Sequence, residues 1–484
     1  MTHPTTSPSS ATDASTASLP ISVTTSSPPD ITAITSTELA DRISGAVVTP
    51  GAADWDSARQ AWNLAIDRRP EFVVFAESAA DVAAVIDYAR AHGLTVSPQG
   101  TGHNASVRPD LSGSILLRTD RMRELSVDVA TRTVRAGAGV LWQEVTEALA
   151  PHGLVGLSGS SGDVGVVGYL LGGGYSWFAR QYGLGCSSVT AVELVTGDGR
   201  FHRVDADHET DLFWAVRGGA GNVGVVSAIE FTVYPCAQVY AGALLFPLER
   251  AREVLSAYEL WTRDLDEAAT TCVRLLRIPP IPDIPEPLRG KTFVGIDGAI
   301  DLPAEQAEAL LAPMRDLGPV VDMFSPMPAP ALAHIHMDPP QPSPARSDGM
   351  VLTDLPAEAI DALLSVAGPG VDSPLLTVDM RHMGGAAGRP APGGGVVDSI
   401  PGRFMLFAVG ITPVPPAEAA VTAAVEAVIT ALDPWRSDRD YINLRDTPAA
   451  PTRFYSTESL DRLLAIQRQH DPQNVVRPNL NLAA

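Results

Sequence analysis

The alternation of hydrophobic and polar positions predicts a strand, a helix and a second strand near residue 70. Residues 72–75 form a short apolar run between polar neighbours, which predicts a buried strand. Apolar residues in the segment 82–89 recur at helical spacing, and Ser78 with Asp81 predicts a capping box at the start of that helix. Gly93 predicts its end, and a second strand at residues 94–97 then leads into a glycine-rich loop.

Further apolar runs and helical stripes follow up to residue 235, without regular alternation of strands and helices. This mixture predicts an α+β fold rather than a doubly wound parallel sheet. The expected strands are residues 115–117, 133–136, 189–195 and 223–233, and the expected helices are residues 142–150 and 211–217.

The pattern changes after residue 235 and predicts a second domain. Residues 278–349 are rich in proline, and apolar strands and helical stripes also occur in this part of the chain. We expect a sheet backed by helices in this part of the chain. The helical patterns lie near residues 251–263, 305–311 and 417–432, and the strands lie near residues 375–380 and 404–411.

Composition and charge exclude several classes of function. The net charge of −22 disfavours binding to nucleic acid or to an anionic membrane surface. Cys186, Cys236 and Cys272 are far apart, so neither a disulfide framework nor a structural zinc site is expected. No signal peptide and no run of 18 apolar residues is visible, so we expect a cytoplasmic protein without a membrane span.

Two glycine-rich segments, residues 98–104 and 159–174, are the strongest candidates for ligand binding. Glycines let a backbone approach a ligand closely, and successive exposed N–H groups can bind a pyrophosphate. The second segment has neither the glycine spacing of a dinucleotide-binding βαβ unit nor the Gly-Lys-Ser/Thr of a P-loop. Taken singly, each segment is equally consistent with a flexible turn, in which His103 is incidental.

His334 and His336 have the spacing of a pair of metal ligands. No third ligand lies near them in sequence, so no metal site is expected.

Taken in order, several motifs resemble the FAD-linked oxidases of the vanillyl-alcohol oxidase superfamily. Within it, the chain is most similar to the berberine bridge enzyme-like and 6-hydroxy-D-nicotine oxidase-like branch. The resemblance runs from about residue 45 to the end of the chain, and an ordered set is more specific than any single motif. The motifs are residues 98–103, 164–174, 180–184, 211–219, 221–226, 327–332, 381–386, 441–443 and 471–477.

The resemblance implies a PCMH-type FAD-binding domain and a substrate domain with an antiparallel sheet backed by helices. It divides the chain into a disordered Ser/Thr/Pro-rich tail (1–40), the FAD-binding domain (41–235), the substrate domain (236–436) and a segment that returns to the FAD-binding domain (437–484). His103 matches the histidine that joins the flavin 8α-methyl group. The other residues implied in FAD binding are Pro98, Gly100, Thr101, Gly102, Asn104, Ser160, Ser161, Val164, Gly165, Gly168, Gly173, Gly174, Tyr182, Gly183, Val225 and Asn443.

One departure from the family concerns the number of flavin bonds. Members with two bonds carry a cysteine four residues before the glycine of the Val-Gly pair. Here that position is Ser161. We therefore expect a single covalent bond, through His103.

The implied activity is oxidation of a C–O or C–N carbon of a small organic substrate, with O2 as the electron acceptor. The sequence does not identify the catalytic base; Tyr175, Tyr441, His336 and Asp379 are the candidates. An oxygenating or cyclising tailoring enzyme and a non-redox small-molecule-binding protein remain open as alternatives. A homodimer also remains open.

Overall fold

The computed structural model of the chain describes residues 36–282, 284–338, 341–480 and 482. The predicted disordered tail lies outside these residues, except for residues 36–40. Those five form a short helix with Leu39 buried, so the prediction is wrong for them. Residues 36–484 form one compact unit, and the domain boundaries after residues 235 and 436 stay a prediction.

Strands and helices alternate irregularly along the described chain. The strands are β1 (Ala46–Val48), β2 (Phe72–Phe75), β3 (Thr95–Gln99), β4 (Ser114–Arg118), β5 (Leu125–Asp128), β6 (Thr133–Gly137), β7 (Leu154–Val155), β8 (Val189–Thr196), β9 (Phe201–Asp205), β10 (Gly224–Thr232), β11 (Tyr234–Pro235), β12 (Gln238–Pro247), β13 (Ala269–Arg277), β14 (Thr292–Ile300), β15 (Val321–Asp322), β16 (Ser325–Pro328), β17 (Ala345–Leu352), β18 (Thr377–His382) and β19 (Phe404–Ile411). The α-helices are α1 (Ser36–Ala40), α2 (Trp55–Ala58), α3 (Ala79–His92), α4 (Trp142–Leu149), α5 (Val166–Leu171), α6 (Ala179–Tyr182), α7 (Thr210–Val216), α8 (Ala251–Trp261), α9 (Ala304–Arg315), α10 (Ala357–Ala367), α11 (Pro415–Leu432) and α12 (Thr457–His470).

The first sheet has the strand order β1-β2-β4-β3, in which β2, β4 and β3 run parallel. Helix α3 connects β2 to β3. It begins at Ser78, whose side chain accepts the N–H of Asp81, and ends at Gly93 in the left-handed conformation. The Asp81 carboxylate accepts the N–H groups of Ser44 and Gly45 instead of completing a capping box. The helix therefore also anchors the preceding segment.

The second sheet is antiparallel, with the order β5-β6-β10-β8-β9. A third, mainly antiparallel sheet has the order β15-β12-β14-β13-β18-β19-β17, with β16 also paired to β12. Helices α8 to α11 cover one face of this third sheet and form an extensive hydrophobic core with it. This arrangement confirms the predicted α+β class and the sheet backed by helices.

The third sheet separates a core from a cavity because successive side chains point to opposite faces. In β19, Leu406 and Ala408 lie in the core beneath the helices, whereas Phe407 and Val409 line the cavity on the other side. The same alternation in β18 directs Asp379 into the cavity. The sheet thus forms one wall of the candidate site.

One helix of the described chain, residues 415–435, is long and apolar enough to cross a membrane by length and composition alone. Its side chains Val421, Val425, Val428 and Leu432 are buried against the third sheet. These contacts are those of a core helix. The expected absence of a membrane partner and the cytoplasmic location stay predictions.

Candidate active site

A cavity of about 440 Å³ lies between the glycine-rich segments and the third sheet. Its size is in the range of small-molecule and cofactor sites. The segments at residues 98–104 and 159–168 line it from one side. Strands β17, β18 and β19 line it from the other side, and residues 441–446 and 478–480 also contribute.

The structure brings most of the predicted cofactor residues together around this cavity. The sequence-distant segments meet because the chain crosses from the first sheet to the second and returns near residue 440. The predicted residues on the cavity wall are Pro98, Gly100, Thr101, Gly102, His103, Asn104, Ser160, Ser161, Val164, Gly165, Gly168, Val225 and Asn443.

Four predicted residues, Gly173, Gly174, Tyr182 and Gly183, are not on that wall. Gly173 has φ +121° and packs against the ring of Tyr441, since a Cβ there would lie 3.1 Å from it. The Tyr182 ring stacks on Tyr234 at 4.0 Å between centroids. Direct contact of these four residues with FAD stays a prediction.

The glycines on the wall leave room for a large ligand. A Cβ at Gly168 would meet nothing within 4 Å, and one at Gly165 would meet only Thr101. Gly102 has φ +88° and lies so close to Ala61 that a side chain would clash at 2.9 Å. This combination of open space and close backbone approach fits an FAD-binding cradle.

The imidazole of His103 is held from three sides at the cavity wall. Its ring stacks on Trp62 at 4.4 Å between centroids. Its Nδ1 lies 2.8 Å from the Thr101 hydroxyl, and its Nε2 lies 3.6 Å from an Asp163 carboxylate oxygen. Nε2 is buried without a hydrogen-bond partner among the described residues. Sequence reasoning found His103 but missed Trp62 and Asp163.

Asp163 is an anion beside this histidine. Burial alone would raise the pKa of its carboxyl group, but the nearby His103 imidazole and hydrogen bonds from Ser161 and Trp62 outweigh burial and lower that pKa. The side chain of Asp163 therefore stays ionised and accepts hydrogen bonds at neutral pH. It was the one charged residue of the second glycine-rich segment, which is the signal that could have identified it.

A buried network of charges lies at the sheet end of the cavity. His336 has Nδ1 2.7 Å from Asp297 and Nε2 3.0 Å from Asp379. Arg274 donates to the same two carboxylates, at 3.2 Å and 3.1 Å. Arg381 lies 3.8 Å from Asp379. Because carboxylates only accept, both imidazole nitrogens of His336 carry protons.

The pKa shifts agree with this protonation. Burial and Arg274 act to lower the pKa of His336, but the carboxylates of Asp338, Asp297 and Asp379 raise it above its ordinary value. Burial would raise the pKa of Asp379, but Arg274 and His336 hold it well below its usual range. Asp379 is thus a fixed anion and a weak base. His336 lies behind the wall, where it positions Asp379.

The two tyrosine candidates are not available as bases at neutral pH. Burial raises the pKa of both Tyr175 and Tyr441, so both phenols stay protonated at neutral pH. The Tyr175 hydroxyl donates to the carbonyl oxygen of His382, and the Tyr441 hydroxyl accepts the backbone N–H of Tyr175 at 2.9 Å. Both residues line the cavity, but their hydroxyl groups are hydrogen-bonded to other groups of the protein.

Asp446, which sequence reasoning missed, is the carboxyl group on the wall best matched to proton transfer. Burial raises its pKa to about 7, and the charge of Asp348 acts in the same direction against the hydrogen bond from Ser347. A group that titrates near neutral pH can accept a proton and release it again. It lies three residues after Asn443, inside the segment that the sequence already placed at the site.

Replacing Asp446 by asparagine is expected to stabilise the protein at pH 8 and to change little near pH 4. The folded wild type binds this proton more tightly than the unfolded chain, so it loses stability as the pH rises from about 4 to about 7. We expect the free energy of unfolding to be about 1–2 kcal/mol higher in the variant at pH 8, by urea denaturation.

The matched control is Asp438→Asn, which removes an exposed carboxylate from the same segment. It should show no comparable pH dependence. An equal effect of Asp446→Asn at pH 4 and pH 8 would contradict the raised pKa.

Within the described ranges, no group of three histidine, cysteine or acidic side chains has the arrangement of a metal site. His336 does not pair with His334 as a metal ligand, because both of its ring nitrogens are hydrogen-bonded to carboxylates.

Comparison with known proteins identifies the cofactor. Residues 70–205 match a family described as an FAD binding domain. The chain is 28% identical to the (R)-6-hydroxynicotine oxidase of Paenarthrobacter nicotinovorans over 293 residues, 58% of this chain and 60% of that protein, less than two thirds of its length. It is 26% identical to the FAD-linked oxidoreductase YgaK of Bacillus subtilis (strain 168) over 450 residues, 90% of this chain and 96% of that one.

The fold is shared with a solved structure of Physcomitrella patens BBE-like 1. The two superpose with a TM-score of 0.79 at 18% identity, over 92% of this chain and 98% of the other. This likeness confirms the expected PCMH-type α+β architecture. Together with the sequence matches, it shows a chain that contains an FAD-binding domain, is similar to FAD-linked oxidoreductases over most of its length and shares the fold of a BBE-like protein.

Proposed function

We propose that this protein is an oxidase whose FAD is joined by one covalent bond to His103, and that it oxidises a C–O or C–N carbon of a small organic substrate with O2. The observation that carries the proposal is the position of His103 on the cavity wall at the end of the glycine loop. FAD bound there would accept the substrate's hydride and pass the electrons to O2.

The groups around His103 favour Nδ1 as the atom that bonds to the flavin. The Asp163 carboxylate faces Nε2, which favours a proton on that nitrogen. Nδ1 then keeps its lone pair, and the Thr101 hydroxyl can donate to it until the bond forms. Stacking on Trp62 fixes the plane of the ring. These contacts orient the nitrogen without requiring another protein group.

The position of the cysteines supports a single bond. Ser161 lies on the cavity wall, where members of the family with two bonds have a cysteine, and its hydroxyl donates to Asp163. Cys186, Cys236 and Cys272 are buried as free thiols, and none is among the residues that line the cavity. No thiol therefore reaches the cofactor site.

The third sheet supplies the substrate wall. Phe407, Val409 and Ile411 form an apolar surface for the body of an organic substrate. Asp379 and Arg381 place fixed charges at one end of the cavity, where they can orient polar groups of the substrate. Asp446, with its pKa near neutral, is the residue that we propose as the proton acceptor.

Anaerobic mixing with a panel of primary and secondary alcohols and amines tests the proposed reaction. A substrate should bleach the flavin absorbance, and admission of O2 should restore it with one equivalent of hydrogen peroxide. Repeating the reaction under labelled O2 distinguishes an oxygenating enzyme, because label would then appear in the organic product. Absence of bleaching by every compound in the panel, or labelled product, would overturn the oxidase assignment.

A further inference from the structure

Arg68 is a buried arginine that holds both ends of the loop carrying His103. It is only 1% exposed. Its guanidinium donates to the side-chain oxygen of Gln99, just before the loop, at 3.1 Å, and to the carbonyl oxygen of Ala105, just after it, at 3.0 Å. A further bond, at 2.5 Å, reaches Asn479 in the C-terminal segment. Arg68 therefore joins the loop to another part of the cavity wall.

The charge of Arg68 has no carboxylate partner within 4 Å in the described part of the chain. A buried charge is normally paired, because desolvation of an isolated ion is costly. Burial, together with the nearby positive charge of Arg108, lowers the pKa of Arg68 to about 10, so the guanidinium remains protonated at neutral pH. Burial and Arg477 lower the pKa of Arg108 in the same way. The three arginines form a cluster of positive charge, which Asp110 offsets in part at Arg108.

Through the bonds of Arg68 to Gln99 and Ala105, this cluster adjoins both ends of the glycine loop. Residues 98–104 contain no lysine or arginine. Among the residues that line the cavity, the only arginines are Arg274 and Arg381, which lie on the third sheet beside Asp379, and no lysine lines it. The FAD diphosphate carries two negative charges, and the protein as a whole has a net charge of −22. A positive charge close behind the loop would stabilise a diphosphate bound there.

We propose that Arg68 is a positioning residue for FAD. It holds both ends of the glycine loop by hydrogen bonds, and its charge compensates for that of the diphosphate. The inference rests on the proposed binding of FAD at this loop. It goes further by assigning the compensating charge to a residue that does not line the cavity. In physical terms, the backbone N–H groups of the loop face the phosphates, while the guanidinium stabilises the same anion from the opposite side.

Competition binding tests this role without relying on activity. In the His103→Ala background, FAD binds without a covalent bond, and flavin fluorescence reports its displacement by ADP or by adenosine. We expect Arg68→Gln to weaken ADP binding by about tenfold or more and adenosine binding by about twofold at most. Arg69→Gln is the matched control, because this neighbouring arginine is 72% exposed in its side chain and pairs with Asp67; it should leave both affinities unchanged.

Arg68→Lys keeps the charge and covers the case in which the glutamine variant does not fold. It should retain ADP affinity to within about threefold. If each folded Arg68 variant binds ADP and adenosine more weakly by the same factor, Arg68 has only a structural role, and the proposal is overturned. Unchanged ADP affinity in Arg68→Gln would also overturn it. If ADP fails to compete with FAD in the His103→Ala protein itself, the diphosphate does not bind at the loop, and the proposed cofactor site falls as well.

Discussion

Replacing His103 by alanine is expected to leave the protein without covalently bound flavin. The cavity retains the glycine cradle, so FAD still binds, but no other histidine and no cysteine is among the described residues that line the cavity. Acid precipitation measures the result directly. The wild-type pellet should keep its yellow colour and flavin fluorescence after washing, whereas the variant should release all its flavin into the supernatant.

His152→Ala is the matched control for this experiment, since it removes an exposed histidine far along the sequence from the glycine loop. Its pellet should remain yellow like that of the wild type. Flavin that stays in the pellet of His103→Ala would show attachment at another residue. Flavin that leaves the wild-type pellet would show that the cofactor is not covalent, and His103 would then be only a loop residue.

Replacing Arg274 by methionine is expected to have the second large effect, a loss of stability. Arg274 is 6% exposed and bonds to Asp297 and Asp379, which are also buried. Removing the guanidinium leaves these two carboxylates with His336 as their main cation, and an unpaired buried charge is costly. We expect a loss of about 3–5 kcal/mol in the free energy of unfolding, measured by denaturant titration.

Two comparisons make this result specific to the buried network. Arg389→Met removes an exposed arginine that pairs with Glu267, and it should cost less than about 1 kcal/mol. Adding Asp379→Asn to Arg274→Met should recover part of the loss, because one of the unpaired carboxylates is then neutral. A loss no larger than that of Arg389→Met would contradict the role that we assign to these buried contacts.

The sequence predicted those elements whose pattern is local. The helix after Ser78 was found because its apolar residues recur at helical spacing, and the strand at residues 404–411 was found because it is a continuous apolar run. Strands β12, β13 and β14 were not predicted. Nearly all their residues are buried, so their sequences lack the alternation that marks a strand. Strand β14 also lies inside the proline-rich segment at residues 278–349.

The same distinction holds for the site. His103 and the residues around it were predicted because they are contiguous in the glycine motifs. Trp62, Asp163 and Arg68 were not, since each acts through a contact with a residue at least thirty positions away that only the fold creates. The resemblance to a family supplied the cofactor, and the structure supplied the groups that hold it. The substrate wall, built mainly from strands β17, β18 and β19, could not be derived from any single motif.

Peptide mapping of the native protein tests the central claim, a single flavin bond through His103, most directly. Trypsin cleaves after arginine but not before proline, so His103 falls in the fragment 91–118 and Ser161 in the fragment 136–180. We predict that mass spectrometry and flavin fluorescence detect the cofactor on the first fragment alone, with the modification on His103. Flavin on the second fragment, on both fragments or on neither would contradict the account.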